Sequence, residues 1–364
     1  MKILLLVNPY MQGGFLGLLE HLSEMGVVIA TENPRKEAFY NINGLFSKLG
    51  AMTRRNAIWY PSLRRLKEIC IEHEIEHIHV LGEPTYLSTL SALRLKKMGI
   101  VKAVSCRVAQ NEKHILPFPF NYCLSEFRKH GDYCFPVSLE SEAFVKREYN
   151  IKINSVFANG VPSNFYTEPA TLRSSKSILY VGTFLERKGI TDLIDALDCS
   201  EFRDYKITFV GDNPEKIRQH LSTSGLIAEN LVVKERLPMN DLIKLYDEAT
   251  LVVVPSRYTD GKDLGWLSQI FPIPWREQFG RVIVEAYSRG TPVLGSDSGA
   301  IPEIIIDKEY IFRAGDVPNL RENMIKFFNS KERRSSDIYV LEAKKYSWKR
   351  LAKELIYYIE HPNR

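Results

Sequence analysis

The sequence predicts a doubly wound α/β chain in two domains, and three observations carry that prediction. Short β-rich apolar runs alternate with longer stretches of helical period, the pattern of parallel sheets joined by crossover helices. Such a series occurs twice, separated by the polar segment that follows Asn159-Gly160-Val161-Pro162 and extends to Ser177. The length of 364 residues exceeds one ordinary core and suits two.

The first series places strands at 2–7, 27–30, 76–81, 101–105, 133–136 and 155–158, with helices between them. One helix covers 62–73, where Leu63, Leu66, Ile69 and Cys70 recur at helical spacing with basic residues between. The second series places strands at 177–181, 206–210, 231–233, 251–254 and 292–295, with helices at 190–197 and 240–249. The last amphipathic stretch, 348–359, carries Leu351, Leu355, Ile356 and Ile359 on one face. No internal sequence repeat relates the halves, so the architecture alone is duplicated. Ligands of open α/β sheets bind beyond the carboxyl ends of the strands, and the chemistry is expected there.

Composition narrows the class. Hydrophobic and charged fractions of 45% and 26% are those of a globular chain, and a net charge of +5 is too mild to indicate a nucleic-acid partner. Arg54, Arg55, Arg64, Arg65 and Lys67, and again Lys96, Lys97 and Lys102, cluster in the first third. They read as solvated helix faces, with an anionic membrane surface as the sharper alternative. Five cysteines without a Cys-x-x-Cys pair indicate neither a disulfide framework nor a zinc site, consistent with a reducing cytoplasm. The apolar run from Ile3 to Val7 is too short for a signal-peptide core and reads as a buried strand. No stretch reaches the length of a membrane span, so any membrane contact is expected at the inner face of the plasma membrane and peripheral.

The richest segment is WREQFGRVIVEAYSRGTPVLGSDSGAIPE, 275–303. Gly280 permits a tight turn and opens a helix that ends at Gly290. Backbone N–H groups at that helix start suit a phosphate or a sugar hydroxyl. Glu277 precedes the turn and Glu285 lies inside the helix, so one carboxylate can face a sugar and the other a ribose; each can accept the paired hydroxyls of a vicinal diol. Taken by spacing alone, the two would be an exposed and a helix-surface glutamate.

The whole segment resembles the E-x7-E signature of the retaining GT-B glycosyltransferases of family 4. Glu277, Phe279-Gly280, Glu285-Ala286, Gly290-Thr291-Pro292-Val293 and Gly299-x-x-Pro302-Glu303 stand in that register, and the likeness covers most of the second half. SILYVGTFLERKGITDLIDAL at 177–197 resembles the strand, loop and helix that receive the donor diphosphate; Val210-Gly211-Asp212 and Pro255-Ser256 fit as well. The first half contributes Gly13-Gly14, Gln110-Asn111 and Asn159-Gly160-Val161. Thr183 departs from the pattern, standing where many members have an arginine on the phosphate loop. The segment 260–274, with Trp266, Leu267, Ile270, Phe271 and Ile273, is longer than usual and would serve as a lid, an acceptor contact, a membrane-touching edge or a fold-back onto its own domain.

The resemblance implies two Rossmann-like domains facing a cleft. Residues 1–162 would form the acceptor-side domain, with 346–364 returning to it, and residues 163–345 the donor domain. It further implies that Glu285 binds the ribose hydroxyls, Glu277 the donor sugar hydroxyls, and Arg187 with Lys188 the diphosphate. Phe279, Gly280 and Arg281 would line the donor, and the Gly13-Gly14 loop would approach the diphosphate. His114, like Gln110, Asn111 and Lys113, is a candidate near the transferred sugar, although a lone histidine is more often a packing residue. Glu72, His73, Glu74, His77 and His79 lack paired ligand spacing and read as structural, so no metal site is expected. The implied co-substrate is a UDP- or GDP-sugar. The implied reaction is retaining, metal-independent transfer of a hexose to a glycan or lipid-linked acceptor by front-face displacement, in envelope polysaccharide or lipopolysaccharide synthesis. A sugar-nucleotide epimerase and a catalytically silent partner subunit stand as alternatives; a dehydrogenase is disfavoured because GGFLG lacks the full dinucleotide fingerprint.

Overall fold

The computed structural model describes residues 1–45, 55–167, 175–226, 230–262, 269–270, 272–330 and 334–362. Arg54, most of the segment after Thr167, and Trp266, Leu267 and Phe271 lie outside the described residues. The chain divides into two compact units, the first built mainly from Met1–Gly160 and Trp348–Arg364, the second from Val161–Asp263 and Pro274–Ser347.

In the first unit, β1 (Ile3–Val7), β2 (Val28–Thr31), β3 (Tyr40–Asn41), β4 (His77–Leu81), β5 (Ala103–Val108) and β6 (Tyr133–Pro136) form one parallel sheet ordered β3-β2-β1-β4-β5-β6. Its central strands are buried on both faces, which is why they read as unbroken apolar runs rather than alternating ones. Helices α1 (Gln12–Glu24) and α9 (Trp348–Glu360) cover one face, where Phe15 and Trp348 meet at 5.5 Å between ring centroids. Helices α2 (Leu63–Glu72), α3 (Leu87–Lys97) and α4 (Phe120–His130) cover the other through Leu66, Ile69, Leu93, Leu95, Leu124 and Phe127.

The second unit repeats the plan. Strands β7 (Ser177–Val181), β8 (Lys206–Val210), β9 (Asn230–Lys234), β10 (Leu251–Val254), β11 (Val293–Ser296) and β12 (Ile311–Phe312) are parallel and ordered β9-β8-β7-β10-β11-β12. Helices α5 (Ile190–Leu197), α6 (Met239–Glu248), α7 (Arg281–Ser288) and α8 (Ser336–Ala343) belong to it. Each sheet therefore has a switch point, between β1 and β4 and between β7 and β10, where successive connections depart to opposite sides and a crevice opens.

The strand expected at 155–158 is absent. Asn154 N donates to Cys134 O at 3.0 Å and Phe157 N to Pro136 O at 2.7 Å, but no ladder follows. The apolar signal there comes from Phe157, which is buried against Phe135. The edge strands β3 and β12 went unpredicted because two residues are too few to show a period.

His77 and His79, two apart on β4, share one face and both reach Ser105 Oγ of β5, at 2.7 and 2.8 Å. Their role is structural. Burial holds His77 at about 4 and His79 at about 3, so both are neutral in the fold. Unfolded histidines take up a proton as pH falls through about 6.5, so each favours the unfolded chain by about 2 kcal/mol between there and pH 5. Glu83 opposes this: burial raises its carboxyl to about 7, so the fold takes up that proton first as pH falls. Replacing Glu83 by Gln removes the opposing contribution. The loss of stability from pH 7 to 5, followed by denaturant unfolding, is then expected to grow by about 2–3 kcal/mol. An unchanged pH dependence in E83Q would refute this balance.

Candidate functional site

The candidate site lies at the switch point of the second sheet. The loop after β7 closes in a single 3₁₀ turn, Glu186–Lys188, terminated by Gly189 at φ 62°. A Cβ on Gly189 would stand 1.8 Å from the carbonyl oxygen of Pro255, so only glycine lets this loop lie against the loop after β10. From that second loop, Ser256 Oγ donates to Glu277 Oε2 at 2.8 Å, and Lys188 Nζ reaches the same oxygen at 2.7 Å. The Trp275 ring lies under both cations, 4.8 Å from Arg187 Cζ and 4.6 Å from Lys188 Nζ, a cation–π arrangement.

The main chain of Glu277 is held as closely. Ala300 N donates to Glu277 O at 2.9 Å, and Gly299, at φ 57°, passes so near that a Cβ would fall 2.1 Å from that carbonyl oxygen. Glu277 is only 7% exposed, so it is not the surface glutamate that spacing alone suggested. Burial works to raise its carboxyl, but Lys188, Ser256 and Arg187 together outweigh that and hold it below the usual range. It is an anion held in place beside two cations.

Gly280 adopts φ 83° and starts α7, whose first turn contains no acidic residue. Glu285, one face along that helix and 8% exposed, accepts from Tyr246 OH at 2.9 Å and pairs with Arg281 Nε at 3.3 Å. The burial of Tyr246 and, after it, the Glu285 carboxylate push its phenol well above the ordinary value, so Tyr246 stays protonated as the donor. Phe279 is buried edge-on to Tyr346, at 5.7 Å between centroids, and fixes the turn before Gly280. Thr183, on the loop after β7, accepts from Tyr180 OH through its carbonyl at 3.1 Å.

The remaining candidates belong to the first unit. Gly13 and Gly14 open α1 after β1, with the Arg35 guanidinium beside Gly13: a Cβ there would be 3.3 Å from Nη1. His114 is half-buried, its Nδ1 3.2 Å from Gln110 Nε2 and 3.3 Å from Glu112 O. Asn111 is buried, whereas Lys113 is exposed and paired with Glu148 at 3.0 Å. Glu83, which follows β4, anchors this loop by accepting from Ala109 N at 2.7 Å and Gln110 N at 3.2 Å.

Sequence reasoning missed Tyr246 and Trp275 as partners of the site, and Glu83 as the anchor of the backbone at Ala109 and Gln110 in the first unit. Trp275 stood two residues before Glu277, close enough to flag; Tyr246 gave no signal on an otherwise ordinary amphipathic helix.

Residues 168–339, just under half the chain, match the family described as glycosyl transferases group 1. N-acetyl-alpha-D-glucosaminyl L-malate synthase of Bacillus anthracis is 24% identical over 280 residues, 74% of this chain and 60% of that protein. The chain spans three fifths or less of the length of the curated relatives it matches. A glycosyltransferase structure from Rickettsia africae aligns with a TM-score of 0.74 at 16% identity, over 100% of this chain and 99% of that one. Anabaena HepE, solved in complex with UDP, aligns with a TM-score of 0.73 at 16% identity, over 99% and 100% of the two chains. At such identities these likenesses establish the fold alone, two Rossmann-like parallel α/β domains.

Proposed function

We propose that this chain, which carries a group 1 glycosyl transferase domain over residues 168–339, transfers a hexose from a UDP- or GDP-sugar to a glycan or lipid-linked acceptor. The observation that carries the reading is the meeting of a cation pair with a buried, ionised carboxylate at the switch point of the second sheet. A nucleotide sugar presents an anionic diphosphate and two sets of hydroxyls, one on its ribose and one on the sugar to be transferred, and this site offers a complement to each. The UDP held by the fold relative from Anabaena is consistent with it.

In this reading Arg187 and Lys188 take the diphosphate and stabilise the charge that develops on it as the sugar departs. Glu285, held by Tyr246 and Arg281, accepts the ribose hydroxyls; Glu277 accepts hydroxyls of the sugar. The turn at Phe279-Gly280-Arg281 presents backbone N–H groups at the start of α7. The bond from the anomeric carbon to the diphosphate oxygen breaks as the acceptor oxygen bonds on the same face. The acceptor proton passes to the departing diphosphate, and the configuration is retained. The cation pair neutralises the leaving group, so no metal is required. The acceptor reaches the enzyme at the cytoplasmic face of the membrane, with the basic helix faces of the first unit against anionic lipid; among the described residues no helix is long and apolar enough to cross a membrane.

The roles of the two glutamates separate experimentally. Glu285→Ala is expected to weaken binding of the nucleoside diphosphate and of the nucleotide sugar alike, by about tenfold. Glu277→Ala is expected to leave nucleoside diphosphate affinity within about twofold and to lower transfer about a hundredfold. Transfer by the Glu277 variant at the rate of the unmodified enzyme would contradict the role given to it.

A further inference from the structure

The cationic turn that carries Arg187 and Lys188 is not held by those two residues alone. Arg257, directly after the Pro255-Ser256 pair, grips it at three points. Its backbone N–H donates to Arg187 O at 2.9 Å, its Nη2 donates to Glu186 Oε1 at 2.9 Å, and its Nη1 donates to Asp192 Oδ1 at 3.0 Å in the first turn of α5. The guanidinium therefore straddles the turn, with one carboxylate before the cation pair and one after it. Its side chain is 27% exposed and that of Asp192 only 10%, so this second bond is shielded from solvent. The Asp192 carboxylate keeps its other oxygen buried, with no hydrogen-bond partner among the described residues.

We infer that Arg257 is a positioning residue for the diphosphate subsite: it fixes the 186–188 turn so that Arg187 and Lys188 are presented together over Trp275. Three features support the assignment. A short 3₁₀ turn has too few internal hydrogen bonds to hold two long cationic side chains in one geometry. Two cations side by side repel, and the carboxylates before and after them, Glu186 and Asp192, are both bonded to Arg257. Finally, the fork of an arginine can donate to two separate carboxylates at once, which a lysine cannot do in fixed directions. The Gly189–Pro255 approach brings the two loops into register, and Arg257 locks them there.

The assignment rests on the donor-site reading, and the test separates the two. Calorimetric titrations of the full chain with UDP, GDP, ADP and the matching unphosphorylated nucleosides come first: if no diphosphate binds the unmodified chain, the donor-site reading itself fails. With a binding diphosphate in hand, Arg257→Ala is expected to lose about tenfold in diphosphate affinity while nucleoside affinity is unchanged. Arg257→Lys should recover only part of the loss. Asp192→Asn, which keeps the shape and removes one anchor charge, should fall between the unmodified chain and R257A and guards against a variant that fails to fold. Equal diphosphate affinity in folded R257A, or parallel loss of nucleoside and diphosphate in both R257A and D192N, would overturn the assignment.

Discussion

Replacing Asp247 by Ala is expected to destabilise the second unit by about 3–5 kcal/mol, the largest single stability effect foreseen for this chain. Asp247 and Arg289 form a two-bond pair, Nε to Oδ1 at 2.6 Å and Nη2 to Oδ2 at 3.0 Å, with side-chain exposures of 0% and 1%. The third guanidinium nitrogen donates to Phe165 O at 2.9 Å and to Thr167 O at 2.6 Å, so the pair ties α6 and the end of α7 to the start of the unit. Removing the carboxylate leaves a buried guanidinium with no counter-charge. Asp247→Asn, which keeps an acceptor, should cost less. The joint replacement Asp247→Leu with Arg289→Met should also cost less than D247A, because no uncompensated charge remains. Denaturant unfolding measures this; D247A within about 1 kcal/mol of the unmodified protein would show that the pair contributes little.

The second large effect concerns binding. Loss of Arg187 and Lys188 together is expected to lower diphosphate affinity by about a hundredfold or more, since hydrogen bonds to charged groups contribute about 1.5–3 kcal/mol each. The two act as a unit because both lie over Trp275 on one turn. The double variant also removes both cations beside Glu277, so its buried carboxyl shifts upward, whereas either single variant leaves one cation in place. Single replacements should therefore sum to less than the double one.

Much of the fold could be read from the sequence because parallel strands buried on both faces leave continuous apolar runs, as in Ile3–Val7 and Leu251–Val254. Helix α5 was readable to its ends for a related reason: Gly189 and the apolar spacing that follows it mark a start. What failed were features without a period. The edge strands are too short, and Phe157 imitated a strand because one buried ring on an irregular segment contributes the same apolar signal. In the candidate site, Glu277, Glu285, Arg187 and Lys188 were visible as residue types at a spacing, but their burial was not. Spacing on its own favoured exposed glutamates, and only the packing of Ser256, Tyr246 and the Gly299 backbone around them reverses that. Arg257 was invisible as a contributor because its partners Glu186 and Asp192 come from the turn and helix that follow β7, brought beside it only by the β7–β10 pairing.

The most direct test is isothermal calorimetry of UDP, GDP and ADP with the full chain and with Arg187→Ala/Lys188→Ala, with and without magnesium. Metal-independent binding of one nucleoside diphosphate, weakened about a hundredfold in the double variant, is the predicted result and would also identify the base. Absence of binding by all three, or equal binding by the double variant, would contradict a donor site at the switch point of the second sheet.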